Sequence, residues 1–382
     1  MENVGIVCEY NPFHNGHAKQ LSAVHAGGGT AVCLMSGNYV QRGEPALMDK
    51  WTRAKAAVMS GADLVLELPI IAAISSAEGF AAGAVRVFSA LGCIDTLCFG
   101  SESGAIDGIM STAKALLSEA FPAALKDALQ EGISFAAARQ RALESLGADA
   151  SLMKKPNDIL AVEYCKAILQ QGSALQAMAL QRGGDYHAAS ADTENPSASF
   201  LRSQGDWQAF MPKEALAVFS EASRYSLQAG ERAMLSRLRA MRDEEFEALP
   251  YGSEGLWRKL MHACRKERNL EAILQTTKSK RYARTRLMRM LLCAYLGITK
   301  EDLARPAPYV RVLAMNAKGQ ALLRQMRNTS TLSILHTGER PADREYYALE
   351  TRATDLFALF SQDKEVPAAG AEARGRVFRE DG

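Results

Sequence analysis

In the first half of the chain, short β-rich runs alternate with helix-length stretches, and few folds accommodate that alternation. Val4–Cys8, Thr30–Met35, Asp63–Leu68 and Thr96–Phe99 read as strands, with Leu175–Gln181 a candidate fifth. Between and after them, Asn15 or Gly16 to His25, about Lys50–Ser60, Ala77–Leu91, Asp107–Leu117, Pro122–Leu146 and Asp158–Leu169 have helical composition. Strands joined through helices require crossover connections. The expected fold class is therefore α/β, a Rossmann-like, open, doubly wound parallel sheet. Ligands of such sheets sit at the carboxyl ends of the strands, beside a switch in strand order. From about residue 205 the grammar changes. Lys213–Arg224, Glu231–Arg242, Gly255–Leu270 and Arg284–Leu296 all read as helices, and only Tyr309–Leu313 alternates like a strand. The expected division is an α/β domain over residues 1–205 and a mostly α-helical domain over 206–382. The tail Val366–Gly382, rich in Ala, Gly and charge, is expected to fray.

The densest local signal lies between the first strand and the first helix, over Gly5-Ile-Val-Cys-Glu-Tyr-Asn-Pro-Phe-His-Asn-Gly-His17. Pro12 holds the turn extended, and the helix begins just after Gly16. Free backbone N–H groups and the helix dipole favour phosphate at that position, and Gly16 carries no side chain to keep it away. His14 and His17, three residues apart, face one side of the first turn and can aim at the same anion. Adenylyl transfer builds negative charge on the α-phosphate, and positioned imidazole donors stabilise it without a covalent step. Two histidines at this spacing also suit a plain helix cap. Neither a G-x-G-x-x-G nor a G-x-x-x-x-G-K-[ST] occupies this turn, which disfavours NAD and P-loop chemistry.

Composition narrows the setting. No apolar run approaches the ~20 residues of a membrane span, and the stretch around Leu64–Ala73 is broken by Glu67 and Pro69. Met1-Glu2-Asn3 lacks the basic region of a signal peptide. Seven cysteines at irregular spacing form no disulfide framework and no zinc pattern, so a reducing cytoplasm is expected and no metal ligands are assigned. The net charge of +2 hides a segregated strip. Lys278, Lys280, Arg281, Arg284, Arg286 and Arg289 occur with no acid among them and with Tyr282 interleaved, a composition suited to RNA backbone and stacked bases. A solvated helix face is the plainer alternative.

The motif resembles the opening signature of bacterial tRNA(Met) cytidine acetate ligases, within the HIGH nucleotidyltransferase superfamily. The likeness continues in order through Met35-Ser36-Gly37, Gln41-Arg42-Gly43-Glu44-Pro45, Lys50-Trp51, Asp63–Pro69, Cys98-Phe99-Gly100-Ser101-Glu102 and Lys155–Leu160. Arg182, Asp185-Tyr186-His187, Lys280-Arg281-Tyr282 and Ala307–Arg311 also fit. Family members carry Asn where Asp158 stands, and the tail after about residue 330 matches poorly. The resemblance implies a Rossmann-like HIGH nucleotidyltransferase domain followed by a tRNA-binding helical domain. It also implies a two-step cytoplasmic ligase. Acetate and ATP give acetyl-adenylate and pyrophosphate, and the wobble cytidine of elongator tRNA(Met) then takes the acetyl group to give N-acetylcytidine. The implied partners are thus ATP, expected with bound Mg²⁺, acetate and that tRNA; no DNA or membrane partner is expected.

By the same resemblance, ATP contacts fall on Val7, Cys8, Glu9, Tyr10, Asn11, Pro12, Phe13, His14, Asn15, Gly16, His17, Ala18, Lys19 and Gln20, and on Gly100, Asn157 and Arg182. His14 and His17 are the expected catalytic pair. Gly100 also suits an ordinary turn, Asn157 a helix cap, and Arg182 a surface salt bridge. Ser197, Ser199 and Arg202 resemble an element that superfamily members use on the β- and γ-phosphates, and hydroxyls with a guanidinium suit departing pyrophosphate. Gln41, Arg42 and Glu44 suit acetate, the incoming cytidine, or a structural loop network equally. Cys8 reads as a small buried residue. Two other readings keep the same fold: an adenylyltransferase acting on a small metabolic phosphate, and a non-catalytic RNA-binding protein.

Overall fold

The computed structural model describes residues 3–182, 196–203, 206–279, 282–336 and 338–380. Its strands are β1 (Asn3–Cys8), β2 (Thr30–Ser36), β3 (Tyr39–Val40), β4 (Glu44–Pro45), β5 (Leu64–Leu68), β6 (Thr96–Ser101), β7 (Gln176–Gln181), β8 (Tyr309–Met315), β9 (Ser333–Leu335) and β10 (Phe378–Arg379). The main sheet runs β10-β8-β5-β2-β1-β6-β7, with β9 sharing the outer edge of β8. Within it β1, β2, β5, β6 and β7 are parallel throughout, with sequence order reversing at β1. β1, β2, β5 and β6 are each followed by a helix of the expected kind before the next of these strands, and the five expected strands agree within two residues. The stretch expected as one helix over Pro122–Leu146 is two, Phe121–Gln130 and Phe135–Ser145, because Gly132 turns left-handed (φ 72°) between them.

Period-two alternation packs the two faces. Val32, Leu34, Leu64 and Leu66 face the helices Ala77–Leu91, Ile106–Leu116 and Pro156–Gln171. Ile6, Cys33, Met35 and Val65 face Asn15–Ala26, Lys50–Met59 and Lys213–Ser220. A separate core holds Leu227–Ala240, Leu256–Lys266, Leu270–Thr277, Arg284–Leu296 and Arg344–Phe357. Tyr39, from the small β3–β4 hairpin, enters that core and donates its hydroxyl to the Ala353 carbonyl at 3.1 Å.

A division of the chain at residue 205 does not divide the sheet. β8, whose seven residues are all buried, pairs antiparallel with β5, so the second half supplies the sheet's far edge. Nor does the described part of the tail fray. Residues 371–374 form a helical turn, β10 joins β8, and Glu372 is 1% exposed. Its carboxylate lies 2.7 Å from Lys50 Nζ and 2.7 Å from Arg311 Nε. Lys50 also reaches Glu67 at 2.8 Å. Burial works against the Lys50 charge, but Glu372 and Glu67 outweigh it and hold its pKa above the ordinary value. Burial likewise opposes ionisation of Glu372, and Lys50 and Arg311 reverse that, keeping its pKa below the usual carboxylate range. These contacts join three distant parts of the sequence, and composition alone does not reveal them.

Candidate active site

A cleft of about 1000 Å³ opens at the carboxyl ends of β1 and β6, where the strand order switches. After Cys8 the chain turns through Tyr10 (φ 44°) and a cis Asn11–Pro12 peptide. Phe13 is fully buried against Tyr10, their centroids 4.8 Å apart, and anchors the turn from below. Asn15 is tied by its N–H to the Phe210 carbonyl at 2.9 Å and by its side chain to that of Ala209 at 3.2 Å. Of the stretch Val7–Gln20, residues Val7, Cys8, Glu9, Tyr10, Asn11, His14, Gly16, His17, Lys19 and Gln20 line the cleft. Pro12, Phe13, Asn15 and Ala18 are not on its wall and hold the turn in place.

His14 is 1% exposed, and its ring stacks on that of His17 with centroids 3.6 Å apart. The His14 N–H donates to His17 Nδ1 at 3.2 Å, which leaves the proton of neutral His17 on Nε2. His14 Nδ1 is buried with no hydrogen-bond partner among the described residues. Burial, then the charge of Arg182, pushes the His14 pKa down to about 3. Burial, His14 and Arg182 together lower that of His17. Near neutral pH the pair is uncharged, and each ring offers one N–H donor.

Gly100 lies inside β6. A Cβ there would stand 2.9 Å from Arg182 Cδ, so the glycine lets the arginine lie across the strand. The guanidinium donates to Asn157 Oδ1 at 3.4 Å, and Asn157 Nδ2 donates to Glu102 at 2.8 Å. Asn157 does not cap the helix Pro156–Gln171. Glu102 does so from outside, accepting from the backbone N–H groups of Asn157 at 3.2 Å and Asp158 at 2.8 Å. Gly100, Asn157 and Arg182 thus form one continuous wall. Ser197 Oγ accepts from the Phe200 N–H at 3.1 Å and starts the helix Ala198–Ser203. Arg202 donates to Ser199 Oγ at 3.1 Å and to the Asn11 carbonyl at 3.0 Å, binding this segment to the histidine turn. All three face the cleft.

The β3–β4 hairpin forms the opposite wall with Gln41, Arg42 and Glu44. The Gln41 N–H donates to Glu9 Oε1 at 2.8 Å, and its carbonyl accepts from Arg289 at 3.4 Å. Gly43 sits at φ 84° with its Cβ position 2.6 Å from the Arg289 backbone nitrogen. Only glycine permits that turn against the helix Arg284–Leu296. Burial raises the Glu9 pKa despite the Gln41 N–H and nearby Arg202, Arg53 and Arg42.

The cationic strip is not one surface. Lys280 and Arg281, like Asp185-Tyr186-His187 of the sequence resemblance, lie outside the described residues. Lys278 is exposed. Arg284 pairs with Glu271 at 2.6 Å, Arg286 donates to the Tyr251 carbonyl at 2.7 Å, and Arg289 faces the cleft. One acid from a neighbouring helix, Glu271, and the carbonyls of Tyr251 and Gln41, all invisible in the linear pattern, take up Arg284, Arg286 and Arg289.

Two residues escaped the sequence reading. Arg53, fully buried, donates to the Ser36 carbonyl at 3.1 Å and the Met48 carbonyl at 3.0 Å, and also to the Glu9 and Gly37 carbonyls. It ties together the ends of β1 and β2 beneath the cleft. Glu102 was visible only as part of a family motif; its role depends on a helix 54 or more residues later, which local spacing cannot show. All seven cysteines are buried and unpaired, Cys8 included. Among the described residues no cluster of three or more His, Cys, Asp or Glu side chains could hold a metal ion, and no helix is long and apolar enough to cross a membrane.

A histidine pair at the strand-order switch of a parallel sheet, with arginines and hydroxyls around it, defines a nucleotidyl transferase of the HIGH class. A family model described as HIGH Nucleotidyl Transferase matches residues 1–371. The tRNA(Met) cytidine acetate ligase of Acetivibrio thermocellus is 33% identical, over 97% of this chain and 98% of its own. That of Clostridium perfringens is 34% identical, over 96% and 97%. A crystal structure of Thermotoga maritima TmcAL bound with alpha-thio ATP superposes with a TM-score of 0.88 at 28% identity, covering 100% of both chains. The apo form gives 0.90 at 29%, again over 100% of both. The chain belongs to the tRNA(Met) cytidine acetate ligase family of HIGH nucleotidyl transferases.

Proposed function

We propose that this protein is an ATP-dependent ligase that activates acetate as acetyl-adenylate and transfers the acetyl group to the wobble cytidine of elongator tRNA(Met). Family membership supports the reaction. The observation that carries its placement is the stacked, neutral histidine pair, with His14 Nδ1 buried and unpartnered at the switch point. A buried polar atom without a partner is costly, and a ligand that reaches it relieves that cost.

In this reading adenosine lies along the wall of Gly100, Asn157 and Arg182. The α-phosphate meets His14 and His17, and the β- and γ-phosphates meet Ser197, Ser199 and Arg202. An acetate oxygen forms a bond to the α-phosphorus as the bond to pyrophosphate breaks, and the imidazole N–H groups meet the charge that builds there. The cytidine amine then bonds to the acetyl carbon, the carbon–oxygen bond to AMP breaks, and the amine loses a proton. When bound with ATP, Mg²⁺ would supply charge neutralisation on the phosphates, and no residue is assigned to hold it. The helical half, with exposed Lys278 and the paired Arg284, offers the face for tRNA, and a reaction that joins ATP, acetate and tRNA suits the cytoplasm.

Acetate-dependent exchange of labelled pyrophosphate into ATP, followed by mass spectrometry of tRNA nucleosides, tests this reading. Exchange without an acetate requirement removes the ligase assignment. Acetate-dependent exchange with no N-acetylcytidine formed removes the tRNA step alone.

A further inference from the structure

Among the arginines lining the cleft, Arg289 alone has a buried nitrogen, Nε, without a hydrogen-bond partner in the described residues. The comparison with its neighbours is informative. Arg139 pairs with Glu163 at 2.6 Å, and Arg202 holds Ser199 and the Asn11 carbonyl. Arg289 makes no ion pair with any described carboxylate; it donates to the Gln41 carbonyl at 3.4 Å, and its side chain also engages that of Tyr251. The guanidinium lies over the Tyr251 ring, 5.1 Å from its centroid, and burial lowers its pKa. A half-buried cation without a carboxylate partner is unfavourable, and arginine's fork is shaped for two-point contact with a carboxylate.

Its surroundings favour a small anion with an apolar end. Val40, adjoining the Gln41 carbonyl that Arg289 holds, and Phe80 are each 3% exposed and line the same cleft with Ala77. Ring and guanidinium are therefore fixed from both sides, by a hairpin whose Gly43 cannot carry a side chain and by the helical core behind Tyr251.

We propose that Arg289 is the acetate-binding residue: its guanidinium holds the substrate carboxylate in the cleft, with the methyl group toward Val40 and Phe80. This rests on the ligase reading above. One acetate oxygen stays on Arg289 while the other bonds to the α-phosphorus and pyrophosphate departs. In the acetyl-adenylate the oxygen held by Arg289 is the acetyl carbonyl oxygen. When the cytidine amine bonds to that carbon, the negative charge develops on this oxygen, beside the cation, until the bond to AMP breaks. A residue of the helical half thus completes the adenylation site.

The test is pyrophosphate exchange by the full-length protein without tRNA, titrating acetate at saturating ATP and ATP at saturating acetate. Arg289→Ala is expected to raise the KM for acetate about ten- to a hundred-fold, the effect of losing a charge-assisted hydrogen bond, with the KM for ATP nearly unchanged. Arg289→Lys, which keeps the charge and the fold's packing stem, falls between, and added guanidinium ion partly rescues Arg289→Ala. A parallel rise in the KM for ATP places Arg289 on the polyphosphate and overturns the proposal. So does an unchanged acetate KM in the lysine variant accompanied by weaker tRNA binding, which makes it an RNA phosphate contact. Wild-type exchange that needs no acetate removes the underlying reading instead, a distinct result.

Discussion

The imidazoles of His14 and His17 lie face to face, their planes 22° from parallel. Stacked this closely and buried, they cannot both take up a proton without mutual repulsion in addition to lost solvation. The His14 pKa stands at about 3 in the folded protein against about 6.5 for a free histidine. Between those values the unfolded chain binds the proton and the folded chain does not. The ligand-free protein should therefore lose stability as pH falls from 6.5 toward 3, by up to about 1.4 kcal/mol per pH unit for each such histidine. Thermal unfolding of His14→Asn across pH 7 to 5 should show a shallower slope than wild type. Equal slopes would return the His14 proton affinity to that of an exposed imidazole.

In the proposed mechanism, loss of either ring also removes a donor to the reacting phosphate. His17→Ala is expected to lower acetate-dependent exchange by about a hundred-fold or more, as with loss of an oxyanion donor. Far-ultraviolet circular dichroism should remain native, because neither ring bridges two elements of the sheet. Exchange near the wild-type rate would remove His17 from the transition state.

Arg202 binds Ser199 and the Asn11 carbonyl in the cleft, where the proposed mechanism puts the β- and γ-phosphates. Arg202→Ala should weaken ATP binding, or pyrophosphate release, while AMP binding changes little. Calorimetric titration with each nucleotide separates the cases: an equal loss for both would move Arg202 toward the adenosine.

Arg284 and Arg286, two positions apart, should respond oppositely. Arg286 holds the Tyr251 carbonyl through two nitrogens, at 3.0 and 2.7 Å. Its replacement by alanine is expected to cost about 1–3 kcal/mol of stability. Arg284 sits in an exposed pair with Glu271, so Arg284→Ala should leave the melting temperature almost unchanged. The same variant should weaken tRNA binding and flatten its log–log salt dependence by about one unit. Filter binding over a salt series and thermal unfolding decide the assignment together. Unchanged tRNA affinity in Arg284→Ala makes that side chain part of a solvated helix face.

Much of the fold follows from the sequence because its first five strands and their helices are local in character. A hydrophobic run such as Leu64–Leu68 identifies itself. The histidine turn was legible for the same reason, since its chemistry is contained in consecutive residues. What escaped is non-local. The strand Tyr309–Met315 was visible as a short alternation over Tyr309–Leu313, but its pairing with β5 spans some 250 residues. The network of Lys50, Glu67, Arg311 and Glu372 looked like four unrelated charges until the chain was folded. The basic strip erred in the other direction: linear clustering implied a common surface, whereas helical geometry sends Arg284, Arg286 and Arg289 to three different partners.

The tail's carboxylate reaches Lys50 across 322 positions of chain. Every described residue of the cleft has left the ribosome by Arg289, yet at that moment Lys50 still lacks Glu372, and β5 still shows the bare edge that β8 will cover. A nascent chain thus carries its full chemistry before it carries its closing clasp. A stop codon anywhere between those two points would yield a polypeptide with all its cleft residues and an unfinished interior. The gene's last stretch is therefore where a truncation would silence the enzyme without touching its chemistry.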